Sequence, residues 1–559
     1  MSTPIPSSPS PYAWHPLLLL LLLALWLATL GNLPFWAALW RLQQTEGGIP
    51  ALTGLSLGLL LLALNVVVLS ILVWPRWRRA SGLLLLVMAA AASYFMNAYG
   101  VVIDASMLRN ALATDVREVR DLLAGGMLVA LLLGVLLPGW WWWRQPVRGV
   151  PTRRLIAQQL GLGGLALLMV FLLGWASFQD LASLVRNHKP LRYMVNPYNS
   201  VYALARNVAG STSKIQQPLQ AIGEDAVLIG QGRHEPAQSP LIVLVVGETA
   251  RAANFGLAGY SRDTTPRLRE LQARGHLVYF DEVTSCGTNT EDSVPCMFSH
   301  LGREAFVASR ARYENLLDVL QRAGLAVLWL DNQSGCKGMC DRLPNANTSR
   351  LNLPDVCQGG ECLDEVMLRE LPGHLARLDP ARRARGTVVV LHQMGSHGPA
   401  YHKRAPAALK AFQPECTQAA LQTCARDHIV NAYDNTIRYT DHFLAELTVW
   451  LQAQSRPTAM LYVSDHGESL GEKGLYLHGM PFAMAPREQI HVPMLLWVSG
   501  PMQTRLSLDL ACLKSGSKQP LSHDHLFHTM LSLAQVRTQV HDPKRDVLDD
   551  CQPQPSPRG

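Results

Sequence analysis

Five stretches without a single Asp, Glu, Lys or Arg dominate the first third of the chain: Pro16 to Trp40, Ala51 to Trp74, Gly82 to Ile103, Leu122 to Trp143 and Leu155 to Phe178. A helix needs about 20 apolar residues to cross the hydrocarbon of a bilayer, and each stretch meets that length. A chain with five such stretches is not an ordinary soluble protein, and an odd number of crossings leaves its ends on opposite sides. The first stretch reads as an anchor and not as a cleaved signal. Its apolar run is too long, no Lys or Arg precedes it, and four further spans follow. At 559 residues there is still room for a large globular part after the spans. The net charge of +7 is modest for this length and no Lys/Arg run stands out, which argues against a nucleic-acid partner.

Orientation follows from the short loops. Arg76, Arg78 and Arg79 lie between the second and third spans, and Arg144, Arg148, Arg153 and Arg154 between the fourth and fifth. Loops rich in Arg stay cytoplasmic, whereas the opposite loops carry Arg41 in one and Arg109, Arg117 and Arg120 with compensating acids in the other. The N-terminus is thus expected inside and everything after Phe178 outside, with Trp140 to Trp143 as an aromatic anchor at one interface. The cysteines point the same way. All ten lie at or after Cys286, in four close pairs (Cys286 and Cys296, Cys336 and Cys340, Cys357 and Cys362, Cys416 and Cys424), with Cys512 and Cys551 left as a candidate fifth. An even, clustered set suits a disulfide framework in an oxidising compartment such as the periplasm.

Three segments are expected: a transmembrane domain over 1–178, bridging helices and a linker over 179–240, and a catalytic domain over 241–559. In the last, short β-rich runs (LIVLVV, LAVLWL, TVVVLH, AMLYVS, VPMLLWV) alternate with helical stretches such as Thr264 to Arg274, which has Pro266 near its first turn and Gly275 after it. This predicts an α/β domain with a mostly parallel sheet covered by helices on both faces. Ligands of such sheets gather beyond the carboxyl ends of the strands. Chemically competent residues stand at those ends: LIVLVV stops at Gly247 and Glu248, AMLYVS at Asp465 and His466, and TVVVLH runs into HQMGSHGPAY with His392 and His397. Two carboxylates and an imidazole can bind zinc and leave a position for a reacting oxygen. In CGTNTEDSVPC, a bridge between Cys286 and Cys296 would hold Thr290 in a constrained turn. Metal coordination would then favour its alkoxide as a nucleophile.

The motifs VVGETAR, CGTNTEDSVPCMFS, DNQSGCKGMCDR, HQMGSHGPAY and SDHGESLGE, in this order after five spans, resemble the phosphoethanolamine transferases that modify lipid A, a group that includes the mobile colistin-resistance enzymes. The resemblance implies an alkaline-phosphatase or sulfatase-like catalytic domain with zinc at positions matching Glu248, Thr290, Asp465 and His466. It also implies that Thr290 takes phosphoethanolamine from phosphatidylethanolamine and passes it to a lipid A phosphate. Lys337, His397 and His478 match positions near the transferred group, the two histidines being able to bind a second zinc or the phosphate. Asn110, Thr114 and Glu118, at helical spacing i, i+4, i+8, match a segment that helps bind the donor headgroup. Glu468 is expected to orient a ligand. The setting implied is the inner membrane of a Gram-negative bacterium, among its lipids, with the chain acting as a monomer and lowering the attraction for polymyxins. The sequence departs from the family pattern beside the nucleophile, where Glu291 and Asp292 replace small or apolar residues. Their charge would help retain zinc or repel phosphate unless they point away or pair with a cation. Competing expectations are a same-fold transferase to lipopolysaccharide core sugars, a phosphoglycerol transferase, and an inactive membrane sensor or scaffold.

Overall fold

A computed structural model of the chain describes residues 13–46, 51–113, 125–178, 181, 184, 188–215, 217–229, 238–351, 353–358 and 361–552. The chain forms two compact units, Met1–Leu108 with Leu123–Val208, and Arg109–Leu122 with Ala209–Gly559.

Among the described residues of the first unit, five helical segments are long and apolar enough to span a membrane: Pro16–Gln44, Thr53–Leu72, Arg78–Tyr99, Gly125–Arg144 and Thr152–Ala176. Lipid gives apolar side chains no reason to prefer one another over the tails, so packing rests on close approach of backbones. Glycines supply it. A Cβ at Gly82 would meet the Trp142 indole at 2.5 Å, one at Gly134 would meet Ala90 at 2.8 Å and one at Gly163 would meet Ser70 at 2.9 Å. Gln159 donates to the Ser70 and Val73 carbonyls at 3.2 and 2.8 Å, satisfying groups freed at the end of the second span. Trp14 exchanges backbone hydrogen bonds with the loop after the fourth span (its N–H to Pro146 O at 2.9 Å, Arg148 N–H to its O at 3.0 Å). Arg144 lies over the Trp140 ring and Arg79 over that of Trp143, at 5.4 and 5.7 Å from the centroids. The two arginine-rich loops therefore share one end of the bundle. Helix α1 (Ala105–Ala113) follows the third span.

The second unit is built on a seven-stranded sheet: β1 (Leu241–Gly247), β2 (Leu277–Phe280), β3 (Ala326–Asp331), β4 (Asn345–Asn347), β5 (Thr387–His392), β6 (Thr458–Ser464) and β7 (Met494–Val498). Their order is β2-β7-β6-β1-β5-β3-β4, with parallel pairing from β6 to β4 and antiparallel pairing of β7 with both β6 and β2. The five runs expected as strands are all strands of this sheet. The interior strands are buried along their whole length, which is why they read as continuous apolar runs without alternation. Helix α2 (Pro266–Ala273) has Pro at its start, and helix α3 (Thr290–Met297) carries the residue expected to be the nucleophile. On one face Leu244, Val390 and Leu461 share a core with Leu316, Leu317 and Leu320 of helix α4 (Leu316–Arg322) and with Phe527. On the other, Tyr462 stacks on Phe255, and Met460 receives Thr448 of helix α5 (Arg426–Gln452). Helices thus cover both faces.

Five disulfides are present, Cys286–Cys296, Cys336–Cys340, Cys357–Cys362, Cys416–Cys424 and Cys512–Cys551, each joining cysteines adjacent in the cysteine order.

Candidate active site

Sheet register builds the centre of the site. Ser464 of β6 pairs with Gly247 of β1, so the next residues, Asp465 and Glu248, leave parallel neighbouring strands about 4.8 Å apart. Thr249 follows with φ 61°, a left-handed turn that aims its N–H at Asp465 Oδ1 (3.1 Å). The His466 N–H donates to the same oxygen at 2.7 Å, while Asp465 Oδ2 accepts no hydrogen bond from the described residues. His466 Nδ1 faces the Gly467 carbonyl at 3.0 Å, which turns Nε2 inward to 3.4 Å from both Glu248 Oε1 and Asp465 Oδ2. Glu248, Asp465 and His466 are fully buried, and each offers a ligand atom within 4.8 Å of the others.

Burial and the neighbouring Glu248 charge push Asp465 up to about 7. Burial opposes ionisation of Glu248 too, but the hydrogen bond and charge of His466 outweigh it and hold Glu248 well below the usual carboxylate range. His466, itself disfavoured as a cation by burial, is raised to about 10 by Asp465 and Glu248. Two dry carboxylates sharing one imidazole are short of positive charge, and Asp465 Oδ2 has no donor among the described residues. A divalent cation meets both needs, and one imidazole with two carboxylates is a donor set suited to zinc.

Thr290 is the first residue of α3, with Asn289 as its cap accepting from the Asp292 N–H at 2.9 Å. Cys286–Cys296 closes the loop and helix on themselves. The Thr290 hydroxyl donates to Glu248 Oε2 at 3.0 Å and lies 3.4 Å from His466 Nε2, so the oxygen sits in the same cluster and at the positive end of a helix. His478 lies beside His466 with ring centroids 4.4 Å apart and the rings tilted by 45°, and the His397 ring lies 5.6 Å from that of His478. Glu468 orients His478 through Nδ1 at 3.0 Å and is itself held by the Tyr401 hydroxyl at 2.8 Å. Burial raises Glu468 to about 8. Lys337, with φ 50° inside the Cys336–Cys340 bridge, donates to Ser334 Oγ at 3.0 Å. Ser334 bonds Gln333, whose side-chain amide reaches Glu248 Oε2 at 3.3 Å.

Comparison with known proteins fits this geometry. Residues 240–536 match the sulfatase family, and residues 60–212 match the phosphoethanolamine transferase EptA/EptB family. The chain is 38% identical to the phosphoethanolamine transferase EptA of Escherichia coli K12 over 95% of its own length and 96% of that protein's. It is 39% identical to the phosphatidylethanolamine transferase Mcr-1 of Escherichia coli over 81% of this chain and 83% of that one. Among solved structures, the integral membrane lipooligosaccharide phosphoethanolamine transferase A (EptA) of Neisseria meningitidis superimposes with a TM-score of 0.91 at 34% identity, covering 97% of this chain and all of that one. The chain belongs to the phosphoethanolamine transferases.

In this transferase the structure brings Glu248, Thr290, Asp465, His466, His397, His478 and Lys337 to one place, the carboxyl edge of the sheet. Asn110 stands on α1, and Thr114 and Glu118 lie outside the described residues. The two acids beside the nucleophile do meet cations. Asp292 pairs with Arg109 at 2.8 Å, and the Glu291 carboxylate lies 4.0 Å from Lys337 Nζ. Three contributions escape sequence reasoning: Gln333 on Glu248, Tyr401 behind Glu468, and the buried pair of His392 Nδ1 with Asp331 Oδ1 at 2.7 Å. His392, also at a strand end, pairs its Nδ1 with Asp331 of β3, and its charge still acts on Glu248 and Asp465. Asp331 Oδ2 also takes the Gly335 N–H at 2.8 Å and so anchors the loop that carries Lys337. The signal for that pair is the parallel register of β5 with β3, which sequence spacing does not reveal.

Proposed function

We propose that this transferase moves phosphoethanolamine from phosphatidylethanolamine to a lipid A phosphate through a covalent intermediate on Thr290. The observation that carries the reading is the Thr290 hydroxyl, 3.0 Å from Glu248 Oε2 and 3.4 Å from His466 Nε2 at the start of a disulfide-closed helix. Glu248, Asp465, His466 and Thr290 would hold a zinc ion, which would supply Lewis acidity and lower the pKa of the hydroxyl. Glu248 Oε2 orients the Thr290 hydroxyl by accepting its hydrogen bond, and the proton passes to His478 or His397 of the same site. The Thr290 Oγ–phosphorus bond forms, and the bond from phosphorus to the diacylglycerol oxygen breaks. His478 or His397 gives that oxygen its proton, while Lys337 and the N-terminus of α3 stabilise charge on the phosphoryl oxygens. A lipid A phosphate oxygen then attacks the same phosphorus and the Thr290 Oγ–phosphorus bond breaks, the acceptor phosphate giving up its proton through the same histidine to Thr290.

His397 and His478 form a second locus for zinc or for the phosphate, and Asn110, Thr114 and Glu118 bind the donor headgroup. The spans sit in the inner membrane with the N-terminus cytoplasmic and the catalytic unit periplasmic, and the chain works as a monomer. The name of the Neisseria meningitidis relative specifies lipooligosaccharide, which supports a lipid A acceptor. Adding an ammonium to a lipid A phosphate weakens attraction for cationic peptides, so expression raises tolerance to polymyxins. The test is reconstitution of the full chain in vesicles containing phosphatidylethanolamine and lipid A, with and without zinc. Zinc-dependent release of diacylglycerol together with lipid A heavier by one phosphoethanolamine is expected. Diacylglycerol release with unmodified lipid A would move the acceptor elsewhere, and no release from zinc-loaded protein would sink the donor.

A further inference from the structure

Asp364 stands where an aspartate normally caps a helix and does not cap it. It precedes the helix Glu365–Arg377, yet its side chain accepts no hydrogen bond from that helix's first turn, and the Glu365 N–H goes to the Tyr439 hydroxyl at 3.0 Å. The carboxylate is turned toward the segment that follows β5. Its Oδ1 accepts the Met394 N–H at 2.8 Å and its Oδ2 the Gly395 N–H at 3.0 Å, and Oδ1 also takes the Asn332 side-chain amide at 2.8 Å. That amide is shared with the carbonyl of disulfide-bonded Cys362 at 3.0 Å, which fixes the direction in which the carboxylate points. Asp364 is 2% exposed, so water is no ready substitute for any of these bonds.

The segment it grips carries His397. Met394 to His397 is a turn closed by the His397 N–H on the Met394 carbonyl at 3.2 Å, with Gly395 at φ 52°. Toward the site the turn is fixed by backbone. The Gln393 N–H donates to Val246 O and the Ser396 N–H to Glu248 O, both at 3.0 Å, and a Cβ at Gly395 would meet the Glu248 carbonyl oxygen at 2.6 Å. On the other side Met394, Gly395 and Asp364 line a cavity of about 630 Å³. Packing behind the turn is therefore thin, and the two N–H bonds to Asp364 are what resist its movement away from Glu248. We propose that Asp364 is a positioning residue: by holding the Met394 and Gly395 N–H groups it fixes the turn, and with it the His397 imidazole beside His478. Its effect on the reaction rests on the role proposed above for His397. Two oxygens are needed because two consecutive N–H groups face them. An amide of the same shape offers one acceptor and turns its own donor toward the other N–H.

The experiment compares wild type, Asp364→Asn, His397→Gln and the double variant as zinc-loaded full-length protein in detergent. For Asp364→Asn, kcat for diacylglycerol release from phosphatidylethanolamine is expected to fall roughly 10- to 100-fold, with KM and zinc content unchanged. The double variant should lie within about threefold of His397→Gln alone, because the two changes act through one imidazole. Losses that multiply in the double variant, or a wild-type kcat for Asp364→Asn, overturn the proposal. Hydrogen exchange read by mass spectrometry tests it without turnover. The peptide over 393–397 should exchange about tenfold faster in Asp364→Asn while that over 463–467 is unchanged, and unaltered exchange at 393–397 overturns the proposal as well. If Asp364→Asn does not fold, Asn332→Ala keeps the carboxylate but frees its direction. It should then show both signs at smaller size, and neither sign would overturn the proposal. A wild-type rate for His397→Gln would sink the role proposed for that histidine, whereas faster exchange at 393–397 in Asp364→Asn would still sustain the grip of Asp364 on the turn.

Discussion

The two halves of the site are positioned by different physics. Glu248, Asp465 and His466 stand on the ends of adjacent parallel strands, where the ladder fixes their spacing before any side chain is chosen. Lys337, His397 and His478 stand on loops, which the fold must hold by other means: the Cys336–Cys340 bridge, the Asp331 anchor on Gly335, and the Glu468–Tyr401 clamp on His478. The strand-borne half suits a task that tolerates no movement, gathering two buried carboxylates around a cation. The loop-borne half suits a task with two different substrates in turn, which needs reach and some adjustment.

Removing a strand-borne ligand is expected to have the largest effect. Asp465→Asn keeps the shape but removes the charge a divalent cation needs, so bound zinc, read by elemental analysis, is lost and adduct formation falls by at least about 1,000-fold. Retention of zinc at wild-type stoichiometry would show that the two halves are less distinct than the geometry says. Next in size is the clamp. Glu468→Gln and Tyr401→Phe loosen His478, and a loss of roughly 10- to 100-fold in transfer to the acceptor is expected, with the tightly bound zinc retained. Equal loss of zinc in these variants would place His478 with the strand-borne set.

Opening the Cys336–Cys340 bridge as a double serine variant frees the loop with Lys337. The expected outcome is a fall of about tenfold in kcat for adduct formation with unchanged zinc content. An unaltered rate would mean that Asp331 alone holds the loop. The smallest effect belongs to pH. His523 lies behind the strand-borne half, with Nε2 on Ser464 O at 2.9 Å and Nδ1 accepting the Cys286 N–H at 3.0 Å. Burial, opposed by the Ser464 bond, lowers it to about 4. The unfolded chain, with His near 6.5, binds a proton that the folded chain refuses between those values. Its contribution is therefore present above pH about 6.5 and lost as pH falls toward 4. Thermal unfolding across that window reads the loss, and His523→Asn should flatten the profile.

This contrast also explains what was legible in the sequence. Five charge-free stretches and five fully buried strands announce themselves by composition, and an acid or histidine just past a strand is visible as a break in an apolar run. The edge strands Leu277–Phe280 and Asn345–Asn347 are short or polar and carry no such mark. Lys337 and His478 were legible only through resemblance to a family, because nothing in loop spacing says where a loop folds back. His392 shows the limit of strand-end reading: it is a strand-end imidazole, but its register opposite Asp331 commits its Nδ1 to that carboxylate. The same holds for Gln333 and Tyr401, which look like ordinary polar residues until the fold places them against Glu248 and Glu468.

The central claim is that Thr290 carries the transferred group. Intact-mass spectrometry of the zinc-loaded full-length chain after incubation with phosphatidylethanolamine, beside Thr290→Ala, tests it most directly. A mass increment of one phosphoethanolamine group on the wild type and none on the variant is the predicted result. An increment of the same size on both proteins, or on neither when zinc is bound, would contradict the account.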